Sequence, residues 1–280
     1  MSTALGIDVG GTKVALRLSS GFDATLAWPD SSTAQQDLAL LGSYVRGLEF
    51  DAVGVAMPAT MDGDGRVVAW PTRPSWIGLD LRAELLRMLA PATVQVADDG
   101  DLAAIAEADA AGCADVVYLG VGTGIGGGAV VGGRPCPGPS RGSCEVGHMI
   151  IDRAGPRCDC GRAGCVQAVA SGAATLRRAG VTFDELRDGW LARDARAVSA
   201  VEESCAALAA AAVGLGELFR PALTIIGGGF AAGLPGFVEA VAEHTAALGR
   251  PGHPPAPVRA ATLGGLSSLH GALLLARAGD

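Results

Sequence analysis

The sequence predicts a protein of two α/β domains. Apolar runs typical of strands alternate with helix-like segments along its 280 residues, and this length is enough for about two domains. An apolar strand, a turn of Gly and Thr and a second strand occur twice, at 5–20 and 116–133. Because repeated sequence patterns indicate repeated structural units, we expect two similar domains that face each other.

The composition of the chain argues against nucleic-acid and membrane partners. Hydrophobic residues make up 49% of the chain and mean hydropathy is +0.35, which indicates a soluble globular protein. The net charge of −8 is dispersed without a basic patch, so nucleic-acid partners are disfavoured. The most apolar run, 205–219, is interrupted by Gly214, Gly216 and Glu217, so we expect no membrane partner. The N-terminus lacks a secretory signal, which favours a cytoplasmic location.

The first half of the chain alternates strands and helices. Apolar runs predict strands at 5–8, 14–20, 22–28, 51–57 and 93–97. Apolar residues at helical spacing predict helices at 37–48, 79–89 and 102–112. Segment 58–76 contains several Pro and Gly residues, so we interpret it as a loop that reaches over a cleft.

The turn of the first hairpin has the composition of a phosphate-binding loop. Gly10 and Gly11 permit φ > 0 and close approach of a ligand, and Thr12 and Lys13 add donors. Asp8 precedes the turn, where it can bind magnesium. A Gly-Gly hairpin without a ligand is the alternative. Lys13 is the only lysine of the chain, which indicates either selection at this position or chance.

Three acids stand between a strand and a helix. Asp98, Asp99 and Asp101 follow the strand 93–97, and a strand-to-helix junction is a common binding site in α/β folds. A carboxylate there can take a proton from a bound hydroxyl. Because Asp is also a preferred N-cap, we expect one of the three to cap the helix.

The second half repeats the hairpin and continues with helices. We predict strands at 116–121, 126–133, 222–228 and 258–263, and helices at 166–180, 183–192, 199–219, from about 235, and at 267–278. Thr123 and Gly124 lie in the repeated turn, and the repeat favours a nucleotide held between two such hairpins in an interdomain cleft. Gly228 and Gly229 follow a buried strand and form either a tight turn or a surface for a purine or ribose.

A third signal is a cluster of potential metal ligands. His148, Cys158, Cys160 and Cys165 lie within a polar segment rich in Gly, and these ligand types suit a closed tetrahedral zinc site. The alternatives are ordinary buried thiols or a disulfide, which a reducing compartment disfavours.

These motifs together resemble one protein family. LGIDVGGTK, VGTGIGGG, EVGH, CDCGRAGC and IIGGG, in this order, resemble the ROK family of bacterial sugar kinases and sugar-responsive repressors, across essentially the whole chain. The resemblance implies an actin-like (ribonuclease H-like) fold, with a small domain at 1–112 plus a final helix at about 265–280, and a large domain at 113–264 that carries the zinc. It also implies ATP, Mg²⁺ and structural Zn²⁺, and a homodimer or homotetramer.

The resemblance also assigns roles to residues. It implies that Asp99 is the base of an in-line phosphoryl transfer to the primary hydroxyl of a hexose-like acceptor. It places Asp98, Glu145, His148 and Gln167 against the sugar. The implied nucleotide contacts are Gly10, Gly11, Thr12, Lys13, Thr123, Gly124, Gly228 and Gly229, with Asp8 for magnesium.

Departures from the family pattern bear on the acceptor. Asp98 replaces the usual Asn, Gln167 the usual Glu, and Thr72-Arg73 the common Asn-Leu. We therefore expect an amino sugar such as kanosamine, whose ammonium group would pair with Asp98. The alternatives are a cyclitol of secondary metabolism, a sugar-sensing regulator and a zinc protein with degenerate nucleotide loops. The first hairpin begins so near Met1 that we expect no preceding DNA-binding domain.

Overall fold

The computed structural model describes residues 3–138 and 143–278. The chain divides into two compact units, of which unit 1 comprises Met1–Leu102 with Leu266–Asp280, and unit 2 comprises Ala103–Gly265. Each unit has its own five-stranded sheet and its own helices. The predicted α/β class is therefore confirmed.

Unit 1 is built on a mixed sheet. Its strands are β1 (Ala4–Val9), β2 (Lys13–Leu18), β3 (Asp23–Ala27), β4 (Ala52–Ala56), the short pair β5 (Thr60–Met61) and β6 (Val67–Ala69), and β7 (Thr93–Ala97). Its helices are α1 (Ala34–Val45), α2 (Leu81–Leu89), the first turn of α3 (Asp99–Ala110), and α10 (Ser267–Arg277). The sheet order is β3-β2-β1-β4-β7, with β1, β4 and β7 parallel.

Helices cover both faces of this sheet. On one face, α1 and α2 bury Leu41 and Leu85 in the same core as Leu5 and Ile7 of β1. On the other face, α10 packs directly on β1 and β4. Gly54 of β4 permits that contact, because a Cβ atom there would collide with the backbone of Ala272. The sheet is therefore buried on both sides, as parallel strands require.

Unit 2 repeats this plan with more helices. Its strands are β8 (Val116–Val121), β9 (Ile125–Val131), β10 (Arg134–Cys136), β11 (Leu223–Gly227) and β12 (Val258–Ala260). Beyond the main part of α3, its helices are α4 (Val166–Ala170), α5 (Gly172–Ala179), α6 (Phe183–Leu191), α7 (Ala195–Phe219), α8 (Gly229–Gly233) and α9 (Phe237–Ala247). The sheet order is β10-β9-β8-β11-β12.

The two sheets share one topology. In each sheet, the first strand is central. The second and third strands continue on one side of it as antiparallel neighbours, and the last two strands lie on the other side, parallel to the first. The two Gly-rich hairpins, β1–β2 and β8–β9, occupy the same place in this topology. The repeat in the sequence thus corresponds to a repeat in structure.

Three local predictions differ from the structure. Segment 58–76, predicted to be a loop, contains the β5–β6 hairpin and buries Trp70 and Trp76 in the core of unit 1. The predicted helix 166–180 is two helices, because Ser171 leaves helical geometry and its hydroxyl caps α5. A short helix, α8, also precedes the helix predicted from about 235.

Helix α7 is the main apolar element of unit 2. By length and composition Ala195–Phe219 could cross a membrane, but 56% of its most apolar window is buried within the protein. Its buried face includes Val201, Leu208 and Leu215 in the core with α9. These contacts are those of a core helix, which is consistent with a soluble protein.

Candidate active site

The parallel strands of unit 1 bring two acids to one edge of the sheet. Asp8 near the end of β1 is aligned with Ala56 of β4, which is aligned with Ala97 at the end of β7. Asp98 and Asp99 follow directly. Because parallel strands end at the same edge, Asp8 and Asp99 lie on that edge with one strand between their own.

The cap of α3 is Asp98. Its Oδ1 atom accepts hydrogen bonds from the N–H groups of Gly100 at 3.0 Å and Asp101 at 3.3 Å. Helix α3 starts at Asp99, three residues before the predicted start. The prediction that one of the three acids caps is confirmed, and the capping oxygen belongs to a residue that was also predicted to contact the sugar.

Burial weakens both acids at this edge. Burial and the nearby charge of Asp8 raise the pKa of Asp99 to about 6. Burial also raises the pKa of Asp8 to about 6, against the opposing charge of Lys13. With pKa values near neutrality, the two carboxylates can take up and release protons under physiological conditions.

The first Gly-rich turn is shaped by steric space. The N–H of Gly10 donates to the carbonyl of Lys13 at 2.8 Å. Neither Gly10 nor Gly11 has positive φ, so the predicted conformational reason for these glycines is wrong. Instead, a Cβ atom at Gly11 would lie 2.6 Å from Thr72 Oγ1. Thr12 and Lys13 are exposed, and their donors are available to a ligand.

A network of polar side chains supports the turn of the first hairpin. Trp28 Nε1 donates to the carbonyl of Gly10 at 2.7 Å. The guanidinium of Arg73 lies 5.7 Å from the Trp28 ring centroid and forms an ion pair of 2.5 Å with Asp37, which is fully buried. Trp76 Nε1 donates to the same carboxylate at 2.8 Å. Sequence analysis missed this network; its only signal was the unusual Thr72-Arg73 pair.

The second Gly-rich turn is held by α4 and α5. Gly172 N–H, at the start of α5, donates to the carbonyl of Gly122 at 2.9 Å, and Ala173 N–H donates to that of Thr123 at 3.4 Å. From α4, the amide oxygen of Gln167 accepts the N–H of Ile125 at 3.0 Å. One end of the predicted sugar contact Gln167 therefore bonds to the hairpin.

A third glycine turn borders a cavity. Gly228 has φ +89°, and a Cβ atom there would lie 2.5 Å from the carbonyl oxygen of Val121. The adjacent cavity has a volume of about 320 Å³ and is lined by Gly227, Gly228, Pro235 and Ala261, among others. The tight turn and the space for a flat ligand, which were alternatives from the sequence, occur together.

The His-Cys cluster has the geometry of a metal centre. One ligand atom from each of His148, Cys158, Cys160 and Cys165 lies within 4.8 Å of all the others. The Sγ atoms of Cys160 and Cys165 are 3.6 Å apart, and Cys158 Sγ is 3.7 Å from His148 Nδ1. Zn–S bonds of about 2.3 Å in a tetrahedron place two sulfurs about 3.8 Å apart. The donor set and its spacing fit zinc.

Local backbone geometry builds this cluster. His148 ends a 3₁₀ turn, Val146–His148, that follows Glu145. The Cys158 N–H donates to the carbonyl of Arg162 at 2.8 Å, which folds the loop onto itself. Burial and the neighbouring thiols raise the pKa of Cys165 to about 12, and a bound metal ion would offset this by stabilising the thiolate.

The predicted site residues form groups within each unit. Unit 1 brings together Asp8, the turn Gly10–Lys13 and the pair Asp98–Asp99. Unit 2 places Gly124 against Gln167, two residues beyond Cys165 in the chain, and the Thr123 carbonyl against the N–H of Ala173. The exposed carboxylate of Glu145 accepts a hydrogen bond from Ser143 at 3.4 Å. The first Gly-rich turn therefore shares one end of its sheet with the acids, and the second turn contacts the helix that follows the metal cluster.

Residues 4–279 match the ROK family. The chain belongs to this family. A kanosamine kinase of Amycolatopsis mediterranei (strain S699) is 50% identical over 288 residues, covering 97% of this chain and 95% of that protein. An N-acetylmannosamine kinase of Shigella boydii is 38% identical over 183 residues, covering 61% of this chain and 62% of that protein.

Solved structures of the ROK family share the fold. A ROK hexokinase from Thermus thermophilus aligns with a TM-score of 0.88 and 29% identity, covering 99% of this chain and 98% of that one. A ROK glucokinase from Streptomyces griseus, in complex with glucose and AMPPNP, aligns at 0.83 and 27% identity, covering 99% and 100%. These alignments confirm the actin-like α/β fold that the resemblance implied.

The raised pKa of Asp99 predicts a stability effect with a definite sign. The pKa of Asp99 is about 6 in the folded protein and 3.8 for an exposed Asp, so burial of the charge destabilises the fold as pH rises through that window. Asp99→Asn removes the charge. We expect it to raise the free energy of unfolding at pH 7.5 by about 1–3 kcal/mol, with a smaller gain at pH 4.

Thermal unfolding without added Mg²⁺ measures this difference. Asp64→Asn is the control, because Asp64 is exposed on a turn and its replacement removes one negative charge without relieving burial. An Asp99→Asn variant no more stable than the wild type at pH 7.5 would show that the Asp99 charge is not destabilising.

Proposed function

We propose that this chain is an ATP-dependent kinase that phosphorylates the primary hydroxyl of kanosamine or a closely related amino sugar. The observation that carries the proposal is the carboxylate pair, Asp8 and Asp99, on the sheet edge that also bears the first Gly-rich turn. The relative of 50% identity named kanosamine kinase supports the acceptor class.

In this proposal Asp99 is the general base. Its pKa of about 6 leaves it largely ionised at pH 7, yet basic enough to take the hydroxyl proton. The deprotonating oxygen attacks the γ-phosphorus, the bond to the β-phosphate oxygen breaks, and ADP leaves. The start of α3 fixes Asp99, whose carbonyl also accepts a hydrogen bond from Ser268 at 3.1 Å. Such positioning supplies most of the catalysis in phosphoryl transfer.

Nucleotide binding is assigned to three glycine turns. In unit 1 these contacts are Gly10, Gly11, Thr12 and Lys13; in unit 2 they are Thr123, Gly124, Gly228 and Gly229. The partly buried Asp8 carboxylate, with its raised pKa, fits a magnesium ligand, because a bound cation would offset the cost of its charge. Magnesium would neutralise charge on the transferred phosphoryl group.

The negative charge at this sheet edge favours an amino sugar as the acceptor. Asp98 adds a third carboxylate to the edge that holds Asp8 and Asp99, while an Asn would cap α3 equally well. The negative charge of Asp98 is stabilised by the N-terminus of α3, and an ammonium group on the acceptor would be attracted to it. The support for this pairing is the charge of the edge and the named relative.

The sugar contacts assigned to unit 2 are Glu145, His148 and Gln167. His148 turns Nδ1 toward Cys158 at 3.7 Å, which leaves Nε2 on the other side of the ring for a sugar hydroxyl. With His148, Cys158, Cys160 and Cys165 as ligands, zinc would fix the tautomer and the orientation of this ring. The zinc is therefore structural in this proposal, and it orders a substrate contact.

Location and assembly remain predictions. A cytoplasmic location follows from the sequence argument alone, and a homodimer or homotetramer follows from the family resemblance alone. Sedimentation of the purified protein distinguishes these assemblies from a monomer.

Acceptor kinetics test the proposed function. With ATP and magnesium, ADP release should give a kcat/KM about tenfold higher for kanosamine than for glucose, because an ion-paired hydrogen bond exceeds a neutral one by about 1.4 kcal/mol. Asp98→Asn is the matched variant. It keeps the cap and removes the charge, so the preference should fall by about tenfold.

Two kinetic results would contradict the proposal. A strong preference of the wild type for glucose would overturn the amino-sugar assignment. ADP release with no sugar of a broad panel would overturn the kinase assignment itself.

Metal analysis tests the zinc assignment. We expect about one zinc per chain in the purified protein, and Cys160→Ser should lose it and raise the sugar KM. Cys113→Ser is the control, because Cys113 is a free thiol outside the cluster, and it should keep its zinc. Zinc content unaffected by Cys160→Ser would show that this thiol is not a ligand.

A further inference from the structure

Gln167 has a definite orientation. Its amide oxygen lies 3.0 Å from the backbone nitrogen of Ile125. Because a backbone N–H only donates, the atom that faces it must be the oxygen, and the NH₂ group must point the other way. The two ends of this amide are thus distinguished by their chemical environment.

The hairpin turn lies directly against this amide. A Cβ atom at Gly124 would be 2.8 Å from the Gln167 oxygen, so a larger residue at this position would displace the Gln167 amide. Within residues 3–138 and 143–278, Gln167 is the one side chain with a hydrogen bond to the turn 122–125, whose other bonds are between backbone groups. Loss of this side chain would release Ile125 N–H.

The remainder of α4 keeps Gln167 in place. Val166 N–H donates to the carbonyl of Met149 at 2.9 Å, and Val166 and Val169 are buried in the core of unit 2. Cys165, directly before the helix, is fully buried. The side chain therefore projects from a rigid base toward the turn, which is the arrangement of a brace.

We propose that Gln167 is a positioning residue that holds the turn Gly122–Ile125 in its nucleotide-binding conformation. The inference rests on the proposed function, since it assumes that this turn binds phosphate. The carboxylate of a Glu would accept the same bond and retain an acceptor for a ligand. The amide accepts the bond and presents only N–H donors on its free side.

Nucleotide affinity measured without sugar tests this inference. Gln167→Met has a similar size and lacks a strong acceptor, so ADP binding by calorimetry should weaken about three- to tenfold, the value of one hydrogen bond. Gln167→Glu retains the acceptor and should bind ADP within about twofold of the wild type. Hydrogen exchange at 122–125 should accelerate in Gln167→Met and not in Gln167→Glu.

Gln167→Ala is a second variant. It removes the same hydrogen bond without placing a methionine side chain against the turn. Wild-type ADP affinity in Gln167→Met or Gln167→Ala, with only the sugar KM raised, would overturn the inference and leave Gln167 with the proposed sugar contact alone. A wild-type protein that fails to bind ADP would overturn the proposed function together with the inference.

Discussion

The burial of two carboxylates at one sheet edge is the constraint on which the rest of unit 1 depends. Parallel pairing of β1, β4 and β7 places Asp8 and Asp99 at that edge, and desolvation raises both pKa values to about 6. Each ionised group is costly to bury. The fold meets that cost with apolar contacts elsewhere, including a core that covers both faces of the sheet.

The turn of each Gly-rich hairpin is held by a hydrogen bond with a polar side chain of a neighbouring segment. In unit 1, Trp28 binds the Gly10 carbonyl and is itself packed against the ion pair of Arg73 with Asp37. In unit 2, Gln167 binds Ile125. A turn that is fixed before a ligand arrives loses less conformational entropy on binding, so these contacts would favour the phosphate binding proposed for both turns.

Local sequence patterns predicted most elements, because apolar strands and amphipathic helices bury residues in a regular order. The hairpin 5–20 and the final helix were placed within a few residues of their observed limits. The segment 58–76 was predicted to be a loop because it contains several prolines and glycines, but two of its tryptophans pack in the core. Such a contact depends on residues distant in the chain, and periodicity does not reveal it.

Part of the candidate site was also predicted from the sequence. Chemistry and spacing identified the four clustered metal ligands, and the structure brings them together. Sequence did not show that Asp98 would cap α3 or that Gln167 would turn its oxygen to Ile125. Asp98 is one of three neighbouring acids that could cap, and Gln167 has one acceptor end and one donor end. In both cases the position of neighbouring backbone N–H groups determines which oxygen accepts the bond.

The position of the phosphate in the reaction product distinguishes the proposed phosphoryl transfer from its alternatives. Proton–phosphorus correlation NMR should be recorded on the product formed from kanosamine, ATP and magnesium by the wild-type protein. Transfer to the primary hydroxyl should give one phosphate ester, coupled to the two protons of the primary carbon. Phosphate on the anomeric oxygen or on the nitrogen, or hydrolysis of ATP without a sugar phosphate, would contradict it.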